Sequence, residues 1–219
     1  MKITKLIALS AACCLIALSG VNRVVVIDAG HGGWDPGKVS AAGHEEKDIN
    51  LAIVLYLQQF LESSGNIVVF TTRADDVALG DKKRADLMSR VNMPTDMQAD
   101  IFVSIHQNAF AKASAKGAQT FYYENSLESK RLAELIQSRI KTSLDLENKM
   151  EAKANTVYFL LKETKTPAVI VECGFLTNTN EANKLITEEY QQKVAWAIYL
   201  GIMDYFADIT VHALLKNHQ

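Results

Sequence analysis

Val24-Val25-Val26-Ile27-Asp28-Ala29-Gly30-His31-Gly32-Gly33 runs four β-branched residues into an acid, a histidine and three glycines. An unbroken β-branched run predicts a strand buried on both faces, as in a parallel sheet, rather than one alternating between core and solvent. Two distant stretches repeat the pattern: Ile101-Phe102-Val103-Ser104-Ile105-His106-Gln107-Asn108 and Val169-Ile170-Val171-Glu172-Cys173-Gly174. In an open α/β sheet, ligands bind beyond the carboxyl ends of the strands. Polar residues leaving three parallel strands at that edge can therefore converge, and two histidines with a carboxylate are donors suited to a divalent metal.

The rest of the chain supplies the other elements of such a fold. Ile49, Ile53, Tyr56, Leu57 and Phe60 recur at helical spacing and predict a helix over Lys47–Ser63, stopped by Gly65-Asn66. Strands are expected at Val24–Asp28, Ile67–Thr71, Ile101–Ile105, Gly117–Tyr123, Val157–Leu161 and Ala168–Glu172. Further helices are expected at Lys82–Met93, around Leu132, Leu135, Ile136, Ile140 and Leu144, and at Tyr190–Phe206; residues 207–219 carry no clear signal. Strands alternating with helices imply a single α/β domain, a mostly parallel twisted sheet of about six strands with helices on both faces. The 219 residues, 48% of them apolar, suffice for one sizeable core. A formal net charge of −2 leaves no basic excess for nucleic-acid phosphates.

Residues 1–20 differ in kind. Met1-Lys2-Ile3-Thr4-Lys5 is a small basic segment, Leu6 to Leu18 is apolar, and Ala17-Leu18-Ser19 precedes Gly20 as a small-x-small cleavage site. This is the pattern of a signal peptide, or of an N-terminal membrane anchor if it stays uncleaved. The expected domain therefore spans 21–219, with membrane contact only through the first segment. Cys13 and Cys14 fall in that leader, so a processed chain keeps Cys173 alone and builds no internal disulfide.

Catalytic zinc takes three protein ligands and leaves a fourth position to water. His31 and His106 are the leading candidates, each directly following a strand run. The third ligand is sought among His44, Glu45 and Glu46 at the start of the first long helix; Asn50, one turn beyond Glu46, is placed to hydrogen-bond that carboxylate. Glu172, at the end of a buried strand, needs a partner or a function and suits a general base beside the metal. Alternation along a strand turns Cys173 to the opposite face, as packing rather than nucleophile. Asn108 is a candidate substrate contact or a turn residue. Gly32 to Val39 imitates a phosphate-binding loop, but Val39 replaces the required hydroxyl and Asp35-Pro36 puts charge and a missing N–H where amides should cradle phosphate.

Jointly, Ile27–Gly33 with Asp35-Pro36-Gly37, then Glu46-Lys47-Asp48-Ile49-Asn50-Leu51, Ser104-Ile105-His106-Gln107-Asn108-Ala109 and Val171–Asn178 resemble the zinc-dependent N-acetylmuramoyl-L-alanine amidases of bacterial cell walls. The resemblance covers nearly the whole chain beyond the leader. It implies one zinc ion held by His31, Glu46 and His106, a catalytic Glu172, and a peptidoglycan substrate cut between N-acetylmuramic acid and L-alanine. Gly117–Tyr123 and the compact length look most like the sporulation subgroup, which strips stem peptides before muramic-δ-lactam formation in spore cortex. That likeness implies export to the cell envelope or forespore intermembrane space, and an envelope lipoprotein as an activating partner. Cys173 and Gln107 stand where relatives often carry other residues.

Overall fold

The computed structural model describes residues 22–216, so the expected leader at 1–20 lies outside the described residues. Six strands are present among them: β1 (Arg23–Ala29), β2 (Ile67–Thr71), β3 (Ile101–Asn108), β4 (Gln119–Tyr123), β5 (Lys153–Asn155) and β6 (Ala168–Phe175). They form one sheet in the order β2-β1-β3-β6-β4-β5. β1, β2, β3 and β6 are mutually parallel where they pair, and β4 runs antiparallel to β6. The sheet is thus mostly parallel, as the apolar runs require.

Helices are α1 (Glu46–Ser63), α2 (Lys83–Asp96), α3 (Leu127–Arg139), α4 (Phe159–Glu163), α5 (Thr179–Leu185) and α6 (Glu188–Lys216). The two faces of the sheet are covered unequally. Val25, Ile27, Val103, Ile105, Val169 and Val171 share the larger core with α1, α3 and α6. Val26, Phe102 and Ile170 face the opposite way, into a smaller cluster with Leu160 and Leu161 of α4. The thin side leaves room for a cleft.

Strand periodicity assigns side chains from this division. Because alternate residues share a face, Asp28, Ser104, His106 and Glu172 lie on the thin side with Val26, Phe102 and Ile170. β3 and β6 are in register so that His106 stands directly beside Glu172.

Two expectations are corrected, and one helix is added. Val157–Leu161 is not a strand. Asn155 Oδ1 accepts from the Val157 and Tyr158 amides at 2.8 and 2.7 Å, turning the chain into α4, and the edge strand is the polar Lys153–Asn155. The closing helix extends from Glu188 through Lys216, taking in most of the tail that showed no signal. That helix is long and apolar enough to cross a membrane, but Val194, Ala195, Ala197, Ile198 and Ile202 are buried in the core. Finally, α5 was not anticipated, although Asn178 caps it by accepting from the amides of Asn180 and Glu181.

Candidate metal and catalytic centre

The site begins with a buried acid in β1. Asp28 is fully buried and accepts from Arg90 Nη1 at 2.5 Å, and from the hydroxyls of Ser104 and Thr72 at 2.6 Å each. Burial alone would raise its carboxyl, but Arg90 and the two hydroxyls outweigh it and hold the group below its ordinary value. Arg90 also donates to the carbonyls of Ala29 at 2.8 Å and His31 at 2.7 Å. Arg73 takes the Ala29 and Gly30 carbonyls at 2.9 and 3.1 Å. Two buried arginines thus satisfy the carbonyls of the loop that leaves β1. That support holds His31 at φ 64°, a left-handed conformation costly for a side chain of this size.

The same loop delivers His31 to Glu46. His31 Nδ1 lies 2.8 Å from Asp35 Oδ2, which fixes the ring, and Nε2 lies 3.2 Å from Glu46 Oε1. His106 Nδ1 reaches that oxygen at 3.0 Å. One donor atom from each of His31, Glu46 and His106 falls within 4.8 Å of the others, a group able to hold a metal ion. Glu46 is 3% exposed and further held by the backbone amides of Lys38 at 2.8 Å and Gln107 at 3.0 Å. Asn50 Nδ2 stands 3.4 Å from Oε1 and 3.0 Å from the Gly30 carbonyl, close to the supporting place expected of it. Burial would raise the Glu46 carboxyl, but the two imidazoles hold it far below the usual range. His106 shifts upward, Glu46 overcoming the opposing effect of burial.

Two glycines make this packing possible. A Cβ on Gly30 would lie 2.2 Å from the His106 ring, and one on Gly37 would lie 2.7 Å from both Glu46 Oε2 and His31 Cδ2. The backbone is therefore shaped around three donors and tolerates no side chain there.

Glu172 has a different environment. It is 8% exposed, and among the described residues its Oε2 has no hydrogen-bond partner. Burial raises its pKa to about 7; His106 opposes the shift and the Glu46 charge adds to it. With His31 and His106 it lines a cavity of about 220 Å³, to which Leu87, Tyr158 and Leu160 add apolar surface and Lys83, Asp86 and Arg90 add charge. Cys173 faces the large core and burial pushes its thiol strongly upward, which removes it as a nucleophile at neutral pH.

The structure brings His31, Glu46, His106 and Glu172 together. Of the competing third ligands, Glu45 turns away to Lys47 at 3.3 Å, while Glu46 enters the cluster. Asn108 ends β3 with Oδ1 accepting from the Ala109 amide at 2.8 Å, a turn contact. No helix follows Lys38; the phosphate-loop imitation runs on through a turn, in which the Gly43 amide donates to the Ser40 carbonyl at 3.0 Å, to α1. Sequence reading missed Asp28, Asp35, Arg73 and Arg90. An acid inside an apolar strand run was a visible signal for Asp28, but nothing local marks the arginines that meet it.

Comparison with known proteins shows the family. A family model described as N-acetylmuramoyl-L-alanine amidase matches residues 25–204. The chain is 34% identical over 200 residues to the germination-specific N-acetylmuramoyl-L-alanine amidase of Bacillus subtilis, a match covering 88% of this chain and 83% of that protein. It is 40% identical over 204 residues to the uncharacterised protein YqiI of the same organism, covering 91% and 93%. Among solved structures, the CwlD amidase of Clostridioides difficile, determined in complex with the GerS lipoprotein, superposes with a TM-score of 0.81 at 42% identity, covering 85% of this chain and 99% of that one. The chain belongs to the N-acetylmuramoyl-L-alanine amidase family and is an amidase acting on peptidoglycan.

Proposed function

We propose that the enzyme is zinc-dependent, with His31, Glu46 and His106 as the ligands and Glu172 as the catalytic base. The observation that carries this reading is the pairing of a three-donor cluster with a buried, unpartnered carboxylate oxygen in the same cavity. Two imidazoles and one carboxylate match the ligand set of catalytic zinc, and Asp35 behind His31 matches the carboxylate that commonly orients such a histidine. When bound, zinc supplies Lewis acidity that polarises the scissile carbonyl and acidifies water.

The chain's own residues account for the proton transfers. Glu172 accepts a proton from the attacking water as the new C–O bond forms. It then passes that proton to the amide nitrogen as the C–N bond breaks, so the stem peptide leaves as a neutral amine and the muramoyl lactyl group as a carboxylic acid, whose proton then moves to the amine to give the carboxylate and the ammonium. A base shifted to about 7 is suited to both halves of this exchange at neutral pH. Asn108 is proposed as a substrate contact through its amide nitrogen, its oxygen being engaged by Ala109.

The likeness to a germination-specific amidase supports a role in spore cortex maturation, where stem-peptide removal precedes muramic-δ-lactam formation. The lipoprotein complex of the CwlD relative supports an envelope lipoprotein as partner. Both imply export, through residues 1–20 as signal peptide or anchor ahead of a catalytic domain at 21–219.

The test is digestion of purified peptidoglycan by the wild type and by Glu172→Gln, with metal analysis of each. The wild type is expected to release stem peptides and leave a free lactyl carboxylate. Glu172→Gln is expected to retain zinc and lose peptide release by about 100-fold or more, as for removal of a general base. Wild-type rates in the variant, or a product carrying a new peptide C-terminus, would refute the reading.

A further inference from the structure

The charges that α2 turns toward the centre are not equally committed. Lys83, Asp86 and Arg90 follow one another at helical spacing, and all three line the 220 Å³ cavity with His31, His106 and Glu172. Asp86 is buried, accepting from Arg90 Nε at 2.7 Å and from the Leu79 amide at 2.8 Å. Arg90 is spent on Asp28 and on the carbonyls of the His31 loop. Lys83 is different: its side chain is 54% exposed, and its ammonium donates to Asp35 Oδ2 at 2.6 Å.

That oxygen already has a task. It faces His31 Nδ1 at 2.8 Å, while Asp35 Oδ1 receives the Gly37 amide at 3.1 Å. A carboxylate behind a ligating histidine raises the basicity of the far ring nitrogen and so strengthens its bond to a metal. A cation on the same carboxylate oxygen works against this. It draws electron density from the His31 hydrogen bond, and it adds positive charge beside a site meant for a cation. Asp35 does not need Lys83 to stay in place. Its backbone exchanges two hydrogen bonds with Gly32, at 3.0 and 3.1 Å, and Gly37 holds its other oxygen. The loop therefore supplies position, and Lys83 contributes charge.

We infer that Lys83 sets the zinc affinity of the centre through Asp35, holding it below what His31, Glu46 and His106 reach without that cation. The inference rests on the proposed zinc ligands. Lys83 is a positioning residue in this role: it touches neither the metal nor the reacting atoms, and it acts on His31 at one remove. Its exposure matters as much as its charge. Glu46, Asp86 and Arg90 are buried, so Lys83 is the part of this network that dissolved ions reach. The affinity of a buried site is thereby made responsive to its ionic surroundings.

The experiment measures zinc affinity of the full chain by competition with a chromophoric chelator. The proteins are the wild type, Lys83→Met, Lys83→Arg, Asp35→Asn, and Asp35→Asn combined with Lys83→Met, each checked for folding by circular dichroism. Lys83→Met is expected to bind zinc about tenfold more tightly than the wild type, and Lys83→Arg to match the wild type. Asp35→Asn is expected to weaken zinc about 10–100-fold, with no further change when Lys83→Met is added to it. The gain in Lys83→Met is expected to shrink below about threefold between about 0.01 M and about 1 M salt, as the screening length falls from about 30 to about 3 Å. A packing effect at Lys83 has no such salt dependence. Equal or weaker binding by Lys83→Met, a gain shared by Lys83→Arg, a gain that survives Asp35→Asn, or a gain indifferent to salt would each overturn the assignment. A wild type that binds no zinc sinks the metal reading itself, whereas normal wild-type binding with any of those patterns sinks only the role of Lys83.

Discussion

At Gly30 a single added carbon would stand 2.2 Å from the His106 ring, so the residue acts through what it lacks. Gly30→Ala is expected to push His106 away from Glu46 and lower zinc affinity on the order of 10–100-fold, the range for disturbing groups that orient metal ligands. Competition with a chromophoric chelator measures this, and unchanged affinity would show that the cluster can rearrange. Glu172 gives a second test at this scale, in metal-free protein. Its pKa rises from the ordinary 4.5 to about 7, so the native state holds its proton more tightly than the unfolded chain does. The stability it confers is therefore complete below about pH 4.5 and is lost as pH rises through about 7. In chelated protein, Glu172→Gln is expected to gain on the wild type over that window by about 2–3 kcal/mol, read from urea midpoints. A difference that stays flat across the window would contradict burial as the cause.

Among the elements, α6 decides how closely the thick layer packs. A Cβ on Gly201 would lie 2.5 Å from Ile136 Cα, so α6 and α3 meet backbone to backbone at this point. Helix propensity alone favours alanine over glycine by about 1 kcal/mol. The contact reverses that preference, and Gly201→Ala is expected to lose about 1–3 kcal/mol by overpacking, measured as a lower Tm. A higher Tm would mean that the two helices can separate at little cost. The periodic helices α1 and α3 and all the apolar strands were legible in sequence, because each carries its own pattern. β5 and α4 were not, because a polar edge strand has no apolar run and an asparagine turn sets where α4 starts.

For the molecule as a whole, Asp28 is the point where separate parts of the chain are tied together. Its carboxylate joins β1 to Arg90 of α2, Ser104 of β3 and Thr72 after β2. Removing one partner of such a buried pair strands the other, at about 3–5 kcal/mol. Arg90→Ala is expected to lose that much by urea unfolding, and a loss under about 1 kcal/mol would show that water can replace the guanidinium. The pH dependence has the opposite sign to that of Glu172. Because the Asp28 carboxyl is held below its ordinary 3.8, its stabilisation is complete above that value and disappears as the medium is acidified through the lower folded value.

The sequence by itself determined that this chain builds a mostly parallel α/β sheet and that two histidines and a glutamate leave it at strand ends. Those are consequences of local patterns: unbroken apolar runs, helical spacing, and glycine where backbone must turn. The amidase motifs also named Glu46 ahead of its neighbours, on likeness. Only the tertiary structure decided that Glu45 turns outward while Glu46 is buried between two imidazoles, and that Arg73 and Arg90 arrive from elsewhere to hold the His31 loop. The physical reason is that arginine hydrogen bonds reaching across 44 to 62 residues leave no periodic trace. A strand declares its buried face through its own side chains, but a buried acid does not declare which distant base will meet it.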